Sequence, residues 1–164
     1  VRTRVVAGDL ALKTSLEALR REVLAMPREQ SELASAVCNM RDKMRSEHNA
    51  SSNRHAHFDL KRDPGGIVDI EFVVQYLVLA HASEHVELTV WSDVIRLLEA
   101  LEQTGLVTAD QAESLSQAYL DYRSATHSLG LQGCAAETDV AEFKVQRQQV
   151  KQITEALLPG LQAG

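Results

Sequence analysis

Aromatic residues and proline are both scarce in this chain of 164 residues, with aromatic side chains at 4% and only three prolines. A core with so few rings must be built from Leu, Val, Ile and Ala, a mixture that suits packed helices. The shortage of proline leaves long helices uninterrupted. Apolar residues still make up 45% of the chain, which argues against wholesale disorder and for one domain with a substantial core.

An excess of positive charge is also missing. The formal net charge is −6, whereas a general nucleic-acid-binding protein carries a basic excess, so we expect no nucleic-acid partner. Two distant cysteines and the lack of a secretory segment at the start predict a reduced, cytoplasmic protein. The apolar run 67–80 would span about 21 Å as a helix, short of a hydrocarbon core of about 30 Å, so we expect no membrane partner.

The spacing of apolar residues predicts an all-α bundle of about six helices, forming a single domain over residues 1–164. Asp9 is the expected N-cap of the first helix, Thr108 with Gln111 forms a capping-box pattern, and Gly105 and Gly130 are expected helix stops. The predicted helices run to about Met26 after the Asp9 cap, and then over Arg28–Arg45, Ile67–Ser83, Leu88–Gly105, Thr108–Leu129 and Val140–Leu158.

Several side chains outside the third helix are expected to pack inside the bundle. They comprise one face of the second helix, two tyrosines and the single tryptophan, which is predicted in the core or at a helix junction: Leu33, Val37, Met40, Met44, Tyr119, Tyr122 and Trp91.

The stretch 46–66 is the only long segment predicted to be irregular, and a connection of this length is either mobile or functional. Its first part is rich in Asn, Ser and His. His48, His55 and His57 offer metal-ligating groups, but a structural zinc site requires four well-spaced ligands. We therefore expect a solvated loop and no metal site.

The helix predicted after Gly66 is apolar on nearly all sides, which indicates a buried, central position. It carries Asp69 and Glu71, which lie about 200° apart on a helix and point in different directions. In the structural interpretation, Asp69 interacts with the positive end of the helix dipole and Glu71 pairs with an arginine. In the functional interpretation, both carboxylates belong to a nucleotide site.

The turn before this helix favours the functional interpretation. Lys61 and Arg62 are followed by a proline and by Gly65 and Gly66, which lead directly into a helix N-terminus. Backbone N–H groups, the helix dipole and two cations together can bind phosphate. The candidate nucleotide- or phosphate-binding residues are therefore Lys61, Arg62, Gly65, Gly66, Asp69 and Glu71.

Three segments resemble the bacterial glutamine synthetase adenylyltransferase/adenylyl-removing enzyme. The most specific runs from Phe58 to Phe72 with the following Val74, Gln75 and Tyr76, and the others are Arg4–Asp9 and Val37–Met44. This resemblance implies the helical domain at the C-terminal end of a larger nucleotidyltransferase, whose catalytic core lies upstream of residue 1. The full-length enzyme is expected to transfer AMP from ATP, with Mg²⁺, to a tyrosine of glutamine synthetase and to remove it by phosphorolysis, which regulates nitrogen assimilation.

The catalytic motif that this resemblance requires is missing from the chain. Transfer in that superfamily depends on a Gly-Ser pair followed by an Asp-x-Asp pair that holds Mg²⁺, because two bound cations need closely spaced carboxylates. Neither pair occurs in this sequence. We expect the chain to contain no catalytic residue and to be inactive alone, while it closes the nucleotide cleft of the upstream module. The alternative is a regulatory bundle that binds glutamine synthetase or the PII signalling protein.

Overall fold

A computed structural model of the chain describes residues 1–49, 57–158 and 160, with only the backbone of Leu10, His48 and Asn49. The described residues form six α-helices, one short 3₁₀ turn and two three-residue strands, which confirms the predicted helical fold. The helices are α1 (Leu10–Leu24), α2 (Gln30–Asn49), α3 (Ile67–His81), α4 (Val94–Gln103), α5 (Ala109–Leu131) and α6 (Lys144–Leu157), the strands are β1 (His57–Asp59) and β2 (Glu137–Asp139), and the 3₁₀ turn is Val86–Thr89.

Helix α3 lies at the centre of the molecule and contacts α2, α4, α5, α6 and the 3₁₀ turn. Its apolar side chains are buried on most sides, and Ile70, Val73 and Val78 are completely inaccessible. A helix that is apolar nearly all round is stable in water only when it is covered in this way. The predicted central position of this helix is therefore confirmed.

Two of the predicted helix starts are confirmed by their capping hydrogen bonds. The Asp9 carboxylate accepts a hydrogen bond of 2.8 Å from the Ala11 amide at the start of α1. At the start of α5, the Thr108 hydroxyl accepts from the Gln111 amide and the Gln111 side chain accepts from the Thr108 amide. Such side chains satisfy amide groups that have no partner within the helix.

Several predicted helix boundaries are wrong, including the start of α6, which is Lys144 and not Val140. Helix α4 begins at Val94 and not at Leu88, because its N-cap is Asp93, whose carboxylate accepts from the Arg96 amide at 3.1 Å. The preceding apolar residues belong instead to the 3₁₀ turn. Helix α5 continues past Gly130 to Leu131, and the glycine with a left-handed backbone, at φ +72°, is Gly133.

The predicted irregular stretch 46–66 is wrong at its start and at residues 57–59, whereas residues 60–66 are irregular as predicted. Helix α2 continues to Asn49, and residues 57–59 form β1, which pairs antiparallel with β2 in the register Phe58 to Thr138. Three-residue strands leave no readable alternation of polar and apolar residues. Residues 50–56, which include His55 of the histidine group, lie outside the described residues, as does the side chain of His48.

The buried face of α2 agrees with the prediction only in part, because Leu33 and Val37 pack against the core and are partly buried. Met40 and Met44 are 55% and 40% exposed, while Ala34, Cys38 and Arg41 are buried. The positions 34, 38 and 41 follow helical spacing, so the helix is rotated by about one residue relative to the predicted face. Because this row includes the charged Arg41, it does not stand out in the sequence as an apolar face.

Aromatic side chains join β1 and the start of α6 to α5. The Phe58 and Phe143 rings pack edge-on against Tyr122, with ring centroids 5.8 and 5.3 Å away. Tyr119 and Tyr122 are both buried, as predicted. Trp91 lies at the junction between the 3₁₀ turn and α4, but it is 40% exposed and stacks against the Arg96 guanidinium.

Helix α1 is the exception to the compact packing. Its apolar face remains accessible to solvent, although Arg20 donates a hydrogen bond of 2.6 Å to the Thr89 carbonyl and attaches the helix to the 3₁₀ turn. The exposed apolar side chains of α1 are Leu12 at 69%, Leu16 at 37%, Leu19 at 55% and Val23 at 42%.

None of the helices in the described part of the chain combines the length and the apolar character needed to cross a bilayer.

Candidate functional site

A rigid turn leads from β1 into α3 and holds the two predicted cations. The Asp59 carboxylate accepts hydrogen bonds from the amides of Lys61 and Arg62, at 2.8 and 3.0 Å. In return, the Asp63 carboxylate accepts from the Asp59 amide at 3.0 Å. Short polar side chains that bond to nearby amides fix tight turns in this way. The side chains of Lys61 and Arg62 extend outward from this turn and are exposed.

The predicted glycines lie in a closely packed region. Gly65 has a left-handed backbone, at φ +83°, and a Cβ atom there would lie 2.6 Å from the Arg147 carbonyl oxygen. A Cβ atom on Gly66 would lie 2.8 Å from the Leu60 carbonyl oxygen. Both residues are buried. The geometry therefore requires glycine at these two positions for close packing between the turn, α3 and α6.

The amides of this turn already have partners within the chain. The Gly65 amide donates to the Asp69 carboxylate at 2.7 Å, and the Gly66 amide donates to the Asp63 carbonyl at 2.9 Å. The Ile67 amide donates to the Leu60 carbonyl at 2.9 Å. An anion at the start of α3 would have to compete with these bonds.

Asp69 points towards α2, where it forms a buried ion pair with the Arg41 Nε group. Both side chains are almost completely inaccessible, at 2% and 1% exposure. Arg41 also donates to the Arg62 carbonyl at 2.7 Å, and Arg45 lies 4.0 Å from the Asp69 carboxylate. Buried charges are tolerated when they are paired and hydrogen-bonded. Arg41 was not among the predicted site residues, although its spacing from Ala34 and Cys38 indicates a place on the buried face of α2.

Glu71 points to the opposite side of α3, as its position on the helix predicts. Its Oε1 atom lies 2.5 Å from an Arg2 guanidinium nitrogen and accepts a hydrogen bond of 3.2 Å from the Tyr119 hydroxyl. Burial raises the pKa of the Tyr119 phenol, and the adjacent Glu71 carboxylate raises it further. The pairing of Glu71 with an arginine matches the structural interpretation of this residue.

Lys61 and Glu71 lie on the wall of one open cavity of about 570 Å³ between α3 and α5. Arg2, Arg123 and His127 also line it. Its volume is within the range of about 300–1,000 Å³ that is usual for ligand sites. The cavity therefore brings together two of the six predicted site residues.

The other four predicted residues lie elsewhere. Gly65, Gly66 and Asp69 take part in the internal packing of the turn, and the backbone of Arg62 accepts from Arg41. Among the described residues, no three His, Cys, Asp or Glu side chains lie close enough together to hold a metal ion.

The signature segment identified in the sequence, from β1 into α3, thus forms the centre of this fold and one wall of its cavity. The family model described as GlnD PII-uridylyltransferase matches residues 38–157, which include this whole segment. The chain belongs to this family. The match extends from α2 to the last turn of α6 and so covers most of the helical bundle.

The resemblance found in the sequence is also confirmed by curated relatives. Three proteins named bifunctional glutamine synthetase adenylyltransferase/adenylyl-removing enzyme are similar to almost the whole chain. The protein from Thioalkalivibrio sulfidiphilus is 45% identical over 92% of the chain, that from Mannheimia haemolytica 39% over 96%, and that from Pseudomonas aeruginosa 44% over 98%.

The relatives are much longer than this chain, which spans 15%, 16% and 17% of their respective lengths. The similarity therefore concerns one part of each of these proteins.

Proposed function

We propose that this chain is the helical domain of an enzyme that transfers AMP from ATP to a tyrosine of glutamine synthetase. The same enzyme removes the AMP by phosphorolysis, and it thereby regulates nitrogen assimilation in the cytoplasm. The observation that carries this proposal is the similarity of 92–98% of the chain to three enzymes with that name. The family model names a different transfer, but it matches a shorter part of the chain.

The domain assists the transfer and does not perform it. Mg²⁺ and ATP are the cofactor and the nucleotide substrate of the proposed enzyme, yet the carboxylates here do not suit a metal-bound nucleotide. Asp69 is neutralised by Arg41, and Glu71 is paired with Arg2. Two carboxylates on opposite sides of one helix cannot bind the same ion. We therefore assign Mg²⁺ to the upstream nucleotidyltransferase module of the longer polypeptide.

The exposed apolar face of α1 supports a domain that is packed against another part of that polypeptide. Four large apolar side chains on one helix, each 37–69% exposed, form the kind of patch that marks an interaction surface. We propose that α1 packs against the nucleotidyltransferase module, and that the wall formed by α3 and α5 closes the nucleotide cleft of that module.

A labelled-AMP transfer assay with glutamine synthetase, ATP and Mg²⁺ tests the division of labour. The purified chain should be inactive, whereas the longer enzyme should be active. Transfer by the chain alone would contradict the proposal.

Variants of the longer enzyme test the role of α1. Leu12→Glu and Leu16→Glu should reduce transfer, because each places a charge in the proposed contact. Val145→Glu on α6 is the matched control, because Val145 is also exposed, at 68%, but lies outside α1. Equal effects of all three substitutions would remove α1 from the proposed interface.

A second candidate function is the binding of the PII signalling protein or of glutamine synthetase by this bundle. The description of the matching family model, which names PII, favours the first partner. Direct titration of the purified chain with each protein distinguishes the two. Saturable binding of PII, with no effect of the α1 substitutions on AMP transfer, would favour the regulatory function over the cleft-closing one.

A further inference from the structure

The cavity between α3 and α5 concentrates positive charge on a chain that is acidic as a whole. Arg2, Lys61 and Arg123 lie on its wall, and Glu71 is the only acidic side chain among the described residues that line it, although the chain carries a net charge of −6. A concave surface of one charge focuses the field and attracts ligands of the opposite sign.

The one carboxylate among the described residues of the cavity wall is already neutralised. Glu71 forms an ion pair with Arg2 and accepts a hydrogen bond from the Tyr119 hydroxyl. These contacts compensate the negative charge of Glu71 and fix the position of the Arg2 side chain. The Arg123 guanidinium lies 5.6 Å from the centre of the Tyr119 ring. Lys61 forms no ion pair with any described residue. Two cations, Lys61 and Arg123, thus remain without a carboxylate partner in the described part of the cavity.

The remaining wall is apolar and includes Ile67, Val68 and Leu131. The Thr126 hydroxyl, also at this wall, is buried and has no hydrogen-bond partner among the described residues. A buried polar atom without a partner is rare in native proteins. An apolar surface next to cations suits a ligand that has a ring system at one end and strong negative charge at the other.

We propose that this cavity binds the phosphate groups of a nucleoside polyphosphate through Lys61 and Arg123, while its apolar wall contacts the base or the sugar. Arginine and lysine form strong, charge-assisted hydrogen bonds with phosphate oxygens. The choice of a nucleotide as the ligand rests on the proposed function. The choice of a phosphorylated anion rests on the cavity itself.

Calorimetric titration of the purified chain with ATP, AMP and inorganic pyrophosphate tests this proposal. ATP and pyrophosphate should bind in a saturable manner, and both should bind more tightly than AMP, because AMP has only one phosphate group. Higher salt should weaken the binding of both. If pyrophosphate binds as tightly as ATP, the phosphate groups account for the affinity and the apolar wall has no part in it, which would overturn the second half of the proposal.

Substitutions locate the site. Lys61→Gln and Arg123→Gln should each weaken ATP binding by about tenfold or more, as expected when a charge-assisted bond to phosphate is lost. Lys144→Gln and Arg21→Gln are the matched controls, since both residues are exposed and lie outside the cavity, and they should leave the affinity unchanged. Circular dichroism of each variant confirms that it is folded.

Three results would overturn the proposal: no saturable binding of ATP or pyrophosphate at millimolar concentration, equal affinity for AMP and ATP, or equal losses in the cavity variants and the controls. The failure of this inference is distinguishable from that of the proposed function, because AMP transfer by the longer enzyme is measured separately. Normal transfer with no nucleotide binding by the chain would reject only the cavity site.

Discussion

Helices α1 and α3 are both fifteen residues long, but they differ in how far their apolar side chains are buried. Helix α3 has apolar residues on almost every side, and the chain itself covers them with four other helices. Helix α1 has an apolar stripe, and this stripe remains largely exposed. An amphipathic stripe therefore shows that a helix needs a partner, and it does not show that the partner belongs to the same domain.

The largest expected effect concerns the buried ion pair that holds α3 against α2. Arg41→Met should lower the free energy of unfolding by about 3–5 kcal/mol, because it leaves the Asp69 carboxylate buried without its partner. Adding Asp69→Asn should recover part of this loss, since the second substitution removes the uncompensated charge. Urea denaturation of the chain measures both changes. A loss below about 1 kcal/mol for Arg41→Met, the size of a surface ion pair, would mean that the Arg41–Asp69 pair does not hold α3 against α2.

A direct comparison of the two helices comes next in size. Ile70→Ala in α3 should cost about 2–5 kcal/mol, because it creates a cavity at a fully buried position. Leu12→Ala in α1 should change the stability of the chain by no more than about 0.5 kcal/mol, since Leu12 is 69% exposed. In the longer enzyme, the Leu12 substitution should become more costly. Equal losses in the isolated chain would contradict the contrast between the helices.

The turn into α3 gives a third test. Gly65→Ala should cost about 2–4 kcal/mol, because it adds strain in the left-handed backbone to an overlap with Arg147. Gly105→Ala, at φ +74° with nothing near its Cβ position, isolates the backbone strain and should cost only about 1–2 kcal/mol. Thermal denaturation compares the two. A smaller loss at Gly65 than at Gly105 would mean that α6 does not pack tightly on this turn.

The smallest effect is expected on the outward face of α3. Glu71→Gln should cost less than about 1 kcal/mol, because its partner Arg2 is 46% exposed and solvent screens the pair. In the longer enzyme, a marked loss of AMP transfer with an unchanged melting temperature would assign Glu71 to the function of the cavity. A large loss of stability would instead make Glu71 part of the core, like Asp69.

Local patterns in the sequence predicted most of the fold. The Asp9 cap, the Thr108 capping box and the all-round apolar character of α3 each depend on residues within a few positions of one another. The pairing of β1 with β2 could not be predicted, because it joins short segments that are far apart in the chain. The start of α4 was misplaced because the apolar residues before Asp93 fit a longer helix equally well.

The site was harder to predict than the fold, because the sequence does not reveal in which direction a charged side chain points in the folded chain. The helix angle correctly separated Asp69 from Glu71, although both were named as candidates for one nucleotide site. Arg41, which neutralises Asp69, was missed because the predicted buried face of α2 ran through Met40 and Met44. Arg2 and Arg123 join Lys61 only when the start of the chain and α5 pack on either side of α3, and no local pattern reports such a contact.

The contact between α6 and the turn before α3 has a consequence for synthesis on the ribosome. The Arg147 Nε group donates to the Pro64 carbonyl across 83 positions of the chain, so the turn before α3 is completed only after α6 has been made. At a synthesis rate of about 5–20 residues per second, on the order of ten seconds pass between the synthesis of α3 and that of α6, the last helix that covers its apolar surface. During this interval the nascent chain exposes its most apolar helix, and this is the period in which it should depend most on chaperones.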